Sequence, residues 1–218
     1  SGSANVSVRL GNGDGTFGAA SQVVIGVGTS PYAVAAADVN GDGKLDLLTA
    51  NNNSNNISVR LGVGDGSFTT PAVSTFTAGA GPNDLAVGDL NGDQKLDVVV
   101  VNNGSSNVSI LLGNGDGSFQ AQASGGATGA QPNAIILADF NNDQKLDFAT
   151  ADLNGNNATV RLGNGNGGFG VGFSPMQVTL PMDLVAGDFN SDKKLDLVIA
   201  NTGVGTVQHN HRVVDRQT

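Results

Sequence analysis

DVNGDGKLD, residues 38–46, places side-chain oxygens at Asp38, Asn40, Asp42 and Asp46, with Lys44 at the remaining odd position. The spacing returns as DLNGDQKLD from Asp89, DFNNDQKLD from Asp139 and DFNSDKKLD from Asp188. Each copy repeats the set: Asp89, Asn91, Asp93, Lys95 and Asp97; Asp139, Asn141, Asp143, Lys145 and Asp147; Asp188, Asn190, Asp192, Lys194 and Asp196. All 19 acidic residues of the 218-residue chain are aspartate, and 12 of them lie in these four stretches, so the acidity is local.

A hard cation such as Ca²⁺ takes roughly six to eight oxygen ligands, and a loop supplies them when alternate side chains turn inward. Positions one, three, five and nine offer carboxylates or an amide, and the lysine at position seven needs only its backbone carbonyl, with its ammonium pointing outward. Four divalent ions would bring the net charge of −9 close to neutral. An EF-hand is excluded because it needs a glutamate at position twelve, where this chain has Thr49, Val100, Thr150 and Ile199. Position six is Gly43 in the first loop but Gln94, Gln144 and Lys193 in the others. A left-handed backbone there is easiest in the first loop, and Lys193 beside Lys194 makes the fourth the weakest site.

The first aspartates, at 38, 89, 139 and 188, recur at about fifty residues, a spacing that points to a repeat architecture. GNGDGTF from Gly11, GVGDGSF from Gly62, GNGDGSF from Gly113 and GNGNGGF from Gly163 keep the same beat, as do Pro31, Pro82, Pro132 and Pro181. Between these markers lie short Val/Ile/Leu-rich stretches bounded by Gly, Asn and Pro, which read as strands. In the second period they are 84–89, 96–101, 107–113 and a fourth from Phe119. The connections are too short for parallel crossovers, so the pairing is antiparallel. The expected fold is all-β: a β-propeller of four blades, each of four antiparallel strands. Small residues before each first aspartate (Ala37, Gly88, Ala138, Gly187) suit strand one to the axis. Residues 1–207 form one propeller domain and 208–218 an off-pattern tail. The chain opens on a strand-three/strand-four unit and closes on strands one and two, which predicts a closing blade shared by its two ends.

Net negative charge argues against nucleic acid, whose phosphates demand a basic patch. The absence of cysteine excludes disulfides and thiolate metal sites. No apolar run reaches membrane-spanning length, and SGSANVSVRL lacks a signal-peptide plan.

A D-x-N-x-D-G-x-x-D loop between two strands, with blades ending in LLGNGDGSF, resembles the FG-GAP or VCBS repeats of integrin α-subunit-like β-propellers, over residues 5 to 207. The resemblance implies about four Ca²⁺ ions, one per loop, held by side chains at positions one, three, five and nine and by the carbonyl of Lys44, Lys95, Lys145 or Lys194. It also implies a secreted or surface protein serving adhesion or ligand recognition. Some relatives are lectins or polysaccharide-active enzymes, so a carbohydrate-binding lectin and a secreted hydrolase or lyase are the alternatives.

Other residues read as structural. Asp14, Asp65 and Asp116 are turn formers in Asp-Gly hairpins. Phe17, Phe68, Phe119 and Phe169 read as core anchors, and Arg9, Arg60 and Arg161 as a solvated or ion-paired outer face. His209 and His211, with Asp215, fall in the tail, and no catalytic constellation stands out. The Asp loops and GNGDG hairpins share one face. The Asn-rich turns opposite are the expected surface for a protein or glycan ligand, with a monomer favoured and a dimeric eight-bladed assembly as the alternative.

Overall fold

The computed structural model describes residues 5–19, 21–24, 28–69, 74–121, 123–170, 172–173, 176–202 and 207–210; for 21–24 and 207–210 it gives the backbone alone. The described residues contain strands, turns and one 3-10 turn at Asn52–Ser54, with no α-helix among them.

Four antiparallel sheets follow one another. The first holds β3 (Pro31–Ala37), β4 (Asp46–Asn51) and β5 (Asn56–Gly62), with β6 (Phe68–Thr69) and β7 (Thr75–Thr77) both pairing β5. The second runs β8 (Pro82–Gly88), β9 (Asp97–Asn102), β10 (Asn107–Leu111) and β11 (Ala123–Ala127), in order. The third runs β12 (Pro132–Ala138), β13 (Asp147–Asp152), β14 (Asn157–Arg161) and β15 (Met176–Gln177), and the fourth β16 (Pro181–Gly187), β17 (Asp196–Asn201) and β18 (Val207–Asn210). Each first strand opens on its proline, where a missing N–H is harmless. The fourth strand begins at the expected phenylalanine, as an isolated bridge Gly113↔Phe119 or Gly163↔Phe169, and resumes further on in β11 or β15. This is a four-blade propeller plan whose blades follow the fifty-residue period.

The core consists of layers between blades. Leu48, Ile57 and Val59 of the first sheet meet Leu85, Val98, Val100 and Phe119 of the second. Val99, Val101 and Ile110, on the other face of the second sheet, meet Ile135 and Phe148 of the third. Ala149, Ala151 and Val160 then meet Leu184, Leu197 and Ile199 of the fourth. The unbroken VVVV of residues 98–101 follows from this: a strand covered on both faces needs no polar alternation. Each such side chain is worth about 1.5–3 kcal/mol of burial. Phe119 packs edge-on against Phe76 at 5.2 Å, and Phe169 against Phe148 at 4.7 Å. Phe17 departs from the expected role and is exposed.

The shared closing blade is not formed. β1 (Asn5–Val8) pairs only with β2 (Ser21–Val24) in a two-stranded sheet, and the third strand beside β17 is β18. Residues 207–210, three of them from the expected tail, therefore continue the blade, while 211–218, with His211 and Asp215, lie outside the described residues. The geometry explains the difference. β3, β8, β12 and β16 pack side by side in sequence, but β16 does not return to pack on β3 in the same way. The β1–β2 pair sits beside the first full sheet, where a Cβ on Gly66 would stand 2.6 Å from Leu10. Leu61 covers Gly117 and Leu112 covers Gly167 in the same manner, so β1–β2 holds the place of a preceding blade's outer half.

Of the three arginines, Arg9 is exposed, as expected, and Arg60 departs from the expected solvated face. Arg60 is buried, which lowers its pKa, and donates to Val59 O at 2.9 Å. Arg161 donates to Ala127 O and Gly170 O, and Arg9 to Gly18 O.

At the end of strand two, Asn51 Nδ2 donates to Asn56 Oδ1 and Ser58 Oγ, and Asn102 Nδ2 to Asn107 Oδ1 and Ser109 Oγ. The third blade has Asp152 there, accepting from Thr159 at 2.6 Å and Thr150 at 2.9 Å, and among the described residues Asn157 Oδ1 has no donor. Burial raises the Asp152 pKa against those hydroxyl bonds. The folded chain therefore holds this proton to higher pH than the unfolded chain, and the associated stability is present in acid and lost as pH rises through the folded value. Asp152→Asn restores the amide donor and removes the buried charge. It should stabilise the protein at pH 7 by about 1 kcal/mol and flatten the loss of stability with rising pH, read by urea unfolding at several pH values; a less stable variant at pH 7 would contradict this reading.

Candidate metal centres

Each Asp loop joins strands one and two of a blade. In the first, Asp38 Oδ1 accepts from the N–H groups of Gly41 (2.8 Å) and Asp42 (3.1 Å), and Oδ2 from Gly43 (2.7 Å). Asn40 Oδ1 accepts from Asp42 N, and Asp42 Oδ1 from Lys44 N. The other loops repeat this weave: Asp89 with Gly92 and Gln94, Asp139 with Asp143 and Gln144, and Asp188 with Asp192 and Lys193. Asn91, Asn141 and Asn190 accept from Asp93, Asp143 and Asp192, and those aspartates in turn from Lys95, Lys145 and Lys194. Position six is left-handed in every copy, with φ of 80° at Gly43, 65° at Gln94, 66° at Gln144 and 67° at Lys193. The expected strain thus falls on the last three loops.

Position nine has a role that the spacing did not reveal. Asp46, Asp97 and Asp147 are fully buried. Each uses Oδ2 to accept from the residue after the first aspartate (Val39, Leu90, Phe140) and Oδ1 to accept, at 2.8 Å, from the first hairpin glycine (Gly62, Gly113, Gly163). In the fourth loop Asp196 Oδ2 accepts from Phe189 N at 3.1 Å. The hairpin glycine is obligatory, because a Cβ there would meet the carbonyl oxygen of Leu45, Leu96 or Leu146 at 2.1–2.2 Å. The glycine-aspartate pairing across sixteen residues was a legible signal, but only for someone who knew that strands two and three were neighbours.

Electrostatics separate the positions. Desolvation pushes Asp38 and Asp89 up, but their several backbone N–H bonds outweigh it and hold both below the ordinary carboxylate value. Asp188 is lowered chiefly by the Lys193 N–H. Burial raises Asp46, Asp97 and Asp147 despite their N–H bonds, and the charges of the first and fifth aspartates push in the same direction. In the first three loops, therefore, the first and fifth carboxylates act on the ninth. The lysine ammonium groups do not all point away: Lys44 Nζ lies 3.5 Å from Asp42 and Lys145 Nζ 3.7 Å from Asp143, on the exposed side. The donor set is all oxygen and suits a hard cation. As it stands, no group of three carboxylates or imidazoles among the described residues is arranged to hold an ion.

The hairpin aspartates do turn chemistry, as expected. Asp14, Asp65 and Asp116 each accept from the N–H and hydroxyl of Thr16, Ser67 or Ser118, at 2.9 and 2.6 Å. The hairpins share the loop face, where Gly117 N donates to Val39 O and Gly167 N to Leu90 O of the preceding blade. On the opposite face, the Asn-rich turns lace blades together: Asn52 Nδ2 donates to Pro82 O and Asn103 Nδ2 to Pro132 O, and at the start of β12 Asn133 Nδ2 donates to Met182 O.

Four overlapping matches to the FG-GAP-like repeat, over residues 1–49, 38–100, 89–150 and 139–199, coincide with the blade period. The chain belongs to the FG-GAP-like repeat family. No curated protein matches it. Among solved structures it is similar to an Agrocybe aegerita lectin described as specifically recognising non-reducing terminal N-acetylglucosamine, at 21% identity and TM-score 0.61, over 98% of this chain and 62% of the lectin. It is also similar to BBS1N in complex with ARL6DN, at 13% identity and TM-score 0.58, over 88% of this chain and 57% of the other. The FG-GAP chain thus spans less than two thirds of the structures it matches, and at these identities the likeness is one of fold. No helix among the described residues is long and apolar enough to cross a membrane.

The two kinds of loop aspartate should separate in a calcium-free buffer. Asp97→Ala leaves two buried N–H groups without an acceptor and should cost about 2–4 kcal/mol, whereas Asp93→Ala on the exposed rim should cost less than about 1 kcal/mol. Urea unfolding in chelator measures both, and equal losses would show that position nine is not the clamp.

Proposed function

We propose that this FG-GAP chain is a calcium-braced, extracellular ligand-recognition module whose ligand is a neutral glycan. The calcium half of the reading is supported by the repeated oxygen sets. Asp38, Asn40, Asp42 and Asp46, with the Lys44 carbonyl, and their counterparts in the other three loops would hold one ion each. Calcium when bound would neutralise the mutual repulsion of the three carboxylates and brace the strand one–strand two connection. Removing it should lower stability, since each site contributes about 2.7 kcal/mol when calcium is a hundredfold above its Kd. Calorimetric titration should find about four sites, one fewer in Asp42→Ala and the full number in Asp65→Asn. No binding to the wild-type protein, or equal loss in the two variants, would contradict the assignment.

The glycan half rests on one observation: the turns 52–55, 103–106 and 153–156, on the face opposite the loops, carry no charged side chain and expose Asn53 and Asn154, whose amide nitrogens bond within the protein to Ser30 and Gln131 while their carbonyl oxygens face outward to a ligand. Amide and hydroxyl groups pair with sugar hydroxyls without the desolvation cost of a buried charge. A protein ligand with charged anchors finds no partner there, which places it second. Tyr32 is the chain's one tyrosine and there is no tryptophan, so stacking contributes little and affinity comes from hydrogen bonds repeated across blades. Titration of the calcium-loaded protein with neutral oligosaccharides, terminal N-acetylglucosamine included, should show saturable binding. Asn53→Asp and Asn154→Asp should weaken it. Retained calcium binding with no response to any neutral glycan would overturn the glycan reading alone.

A further inference from the structure

Eight asparagines precede a glycine: Asn12, Asn40, Asn91, Asn103, Asn114, Asn154, Asn164 and Asn166. Such a pair can react with itself, because the glycine nitrogen approaches the asparagine amide carbon with no side chain in the way. The eight differ in what the glycine N–H already does. Gly41 and Gly92 donate to Asp38 and Asp89, Gly104 and Gly155 to Ala80 O and Ala130 O, and Gly167 to Leu90 O. Each of those bonds has to break before the nitrogen can attack. Gly13, Gly115 and Gly165 have no acceptor among the described residues, and the asparagine before each is exposed to water.

These three pairs hold the same position in their hairpins, and one of them differs. Asn12 and Asn114 donate through Nδ2 to the hydroxyls of Thr16 and Ser118, at 2.8 and 2.9 Å. The last hairpin has Gly168 in place of that hydroxyl and Asn166 in place of the turn aspartate. Asn164 is turned accordingly: its Oδ1 accepts from Asn166 N at 3.1 Å and from Gly168 N at 3.0 Å. Two N–H groups on that oxygen draw electrons from the amide carbon, and they are in place for the negative charge that forms when a nucleophile adds. Among the described residues no N–H meets the side-chain oxygen of Asn12 or Asn114. Asn164–Gly165 alone combines an unbonded glycine N–H with a doubly held amide oxygen.

We propose that Asn164–Gly165 is a self-modifying site, at which the folded chain deamidates ahead of its other Asn-Gly pairs. Gly165 N gives its proton to water and attacks Asn164 Cγ, and the oxyanion so formed rests on the N–H groups of Asn166 and Gly168. Its collapse breaks the Cγ–Nδ2 bond, and the nitrogen takes a proton from water and leaves as ammonia. Water then opens the cyclic imide at either of its carbonyls, leaving aspartate or isoaspartate at position 164. One water is consumed and one ammonia released, with no oxidant or cofactor. The hairpin is anchored on both sides of this site, by Gly163 N on Asp147 and by Gly167 N on Leu90 O. Isoaspartate lengthens the main chain between the two anchors, so the reaction slackens the clamp of the third blade.

The native full chain, kept at neutral pH and sampled over time by peptide mass mapping, should gain the mass of acid over amide first at Asn164, at least about threefold faster than at Asn12 or Asn114. In urea Asn164 should lose that lead, since the order comes from the fold and not from the dipeptide. Asn166→Asp combined with Gly168→Ser rebuilds around Asn164 the GNGDGSF hairpin of residues 113–119. A Cβ at position 168 would stand 2.8 Å from Asn164 Nδ2, the movable end of a side chain, so the hairpin keeps its form. This double variant should slow Asn164 to the rate of Asn114. A native rate at Asn164 no higher than at Asn12 and Asn114, the same lead in urea, or a double variant that reacts as fast as the parent chain would each overturn the assignment.

Discussion

A buried aspartate side chain holds each blade together. Asp46, Asp97 and Asp147 sit at the start of strand two, and each carboxylate accepts one N–H from the loop before it and one from the first glycine of the hairpin that follows strand three. Taking a carboxylate out of water is costly unless hydrogen bonds meet its oxygens. Two amides do so, and the bonds tie three consecutive segments at one point. The same point forces the glycine, since the loop carbonyl of Leu45, Leu96 or Leu146 presses where a Cβ would be. The Asp loop and the glycine hairpin are therefore two halves of one device, and their shared period in the sequence is a consequence.

Much of the fold was legible because the repeat makes each observation four times. Strand order, antiparallel pairing, the proline starts, the turn role of Asp14, Asp65 and Asp116, and the left-handed sixth loop position all follow from local chemistry. What was not legible depends on neighbours distant in the chain. The burial of position nine and of Arg60 requires knowing which strands lie side by side. The Asn-rich turns looked like free polar surface, yet Asn52 and Asn103 are spent on the carbonyls of Pro82 and Pro132 in the next blade. The closing blade failed for the most global reason, the placement of the first sheet relative to the last, which no single repeat encodes.

The layered core has a consequence for how the molecule bears change. Each sheet packs only on its neighbours, so stability is close to a sum over blades and interfaces. The second and third blades have two covered faces, the first and last one each. A substitution at Val99 or Phe148 disturbs an interior layer, whereas one at Val185 or Tyr32 meets solvent in the single chain. The Asp loops add a rigid rim to the same layers, since Gly117 and Gly167 donate to the loops of the preceding blade. The oxygen-rich loops on that rim and the Asn-rich turns on the other are thus joined through the strands that connect them.

Hydrogen exchange at individual amides tests the clamp most directly. The N–H groups of Val39, Leu90 and Phe140, and of Gly62, Gly113 and Gly163, should be among the slowest in the molecule, exchanging only when the blade opens, with or without calcium. Exchange at those six amides as fast as at the exposed hairpin amides of Thr16, Ser67 and Ser118 would contradict the central role of the buried aspartates.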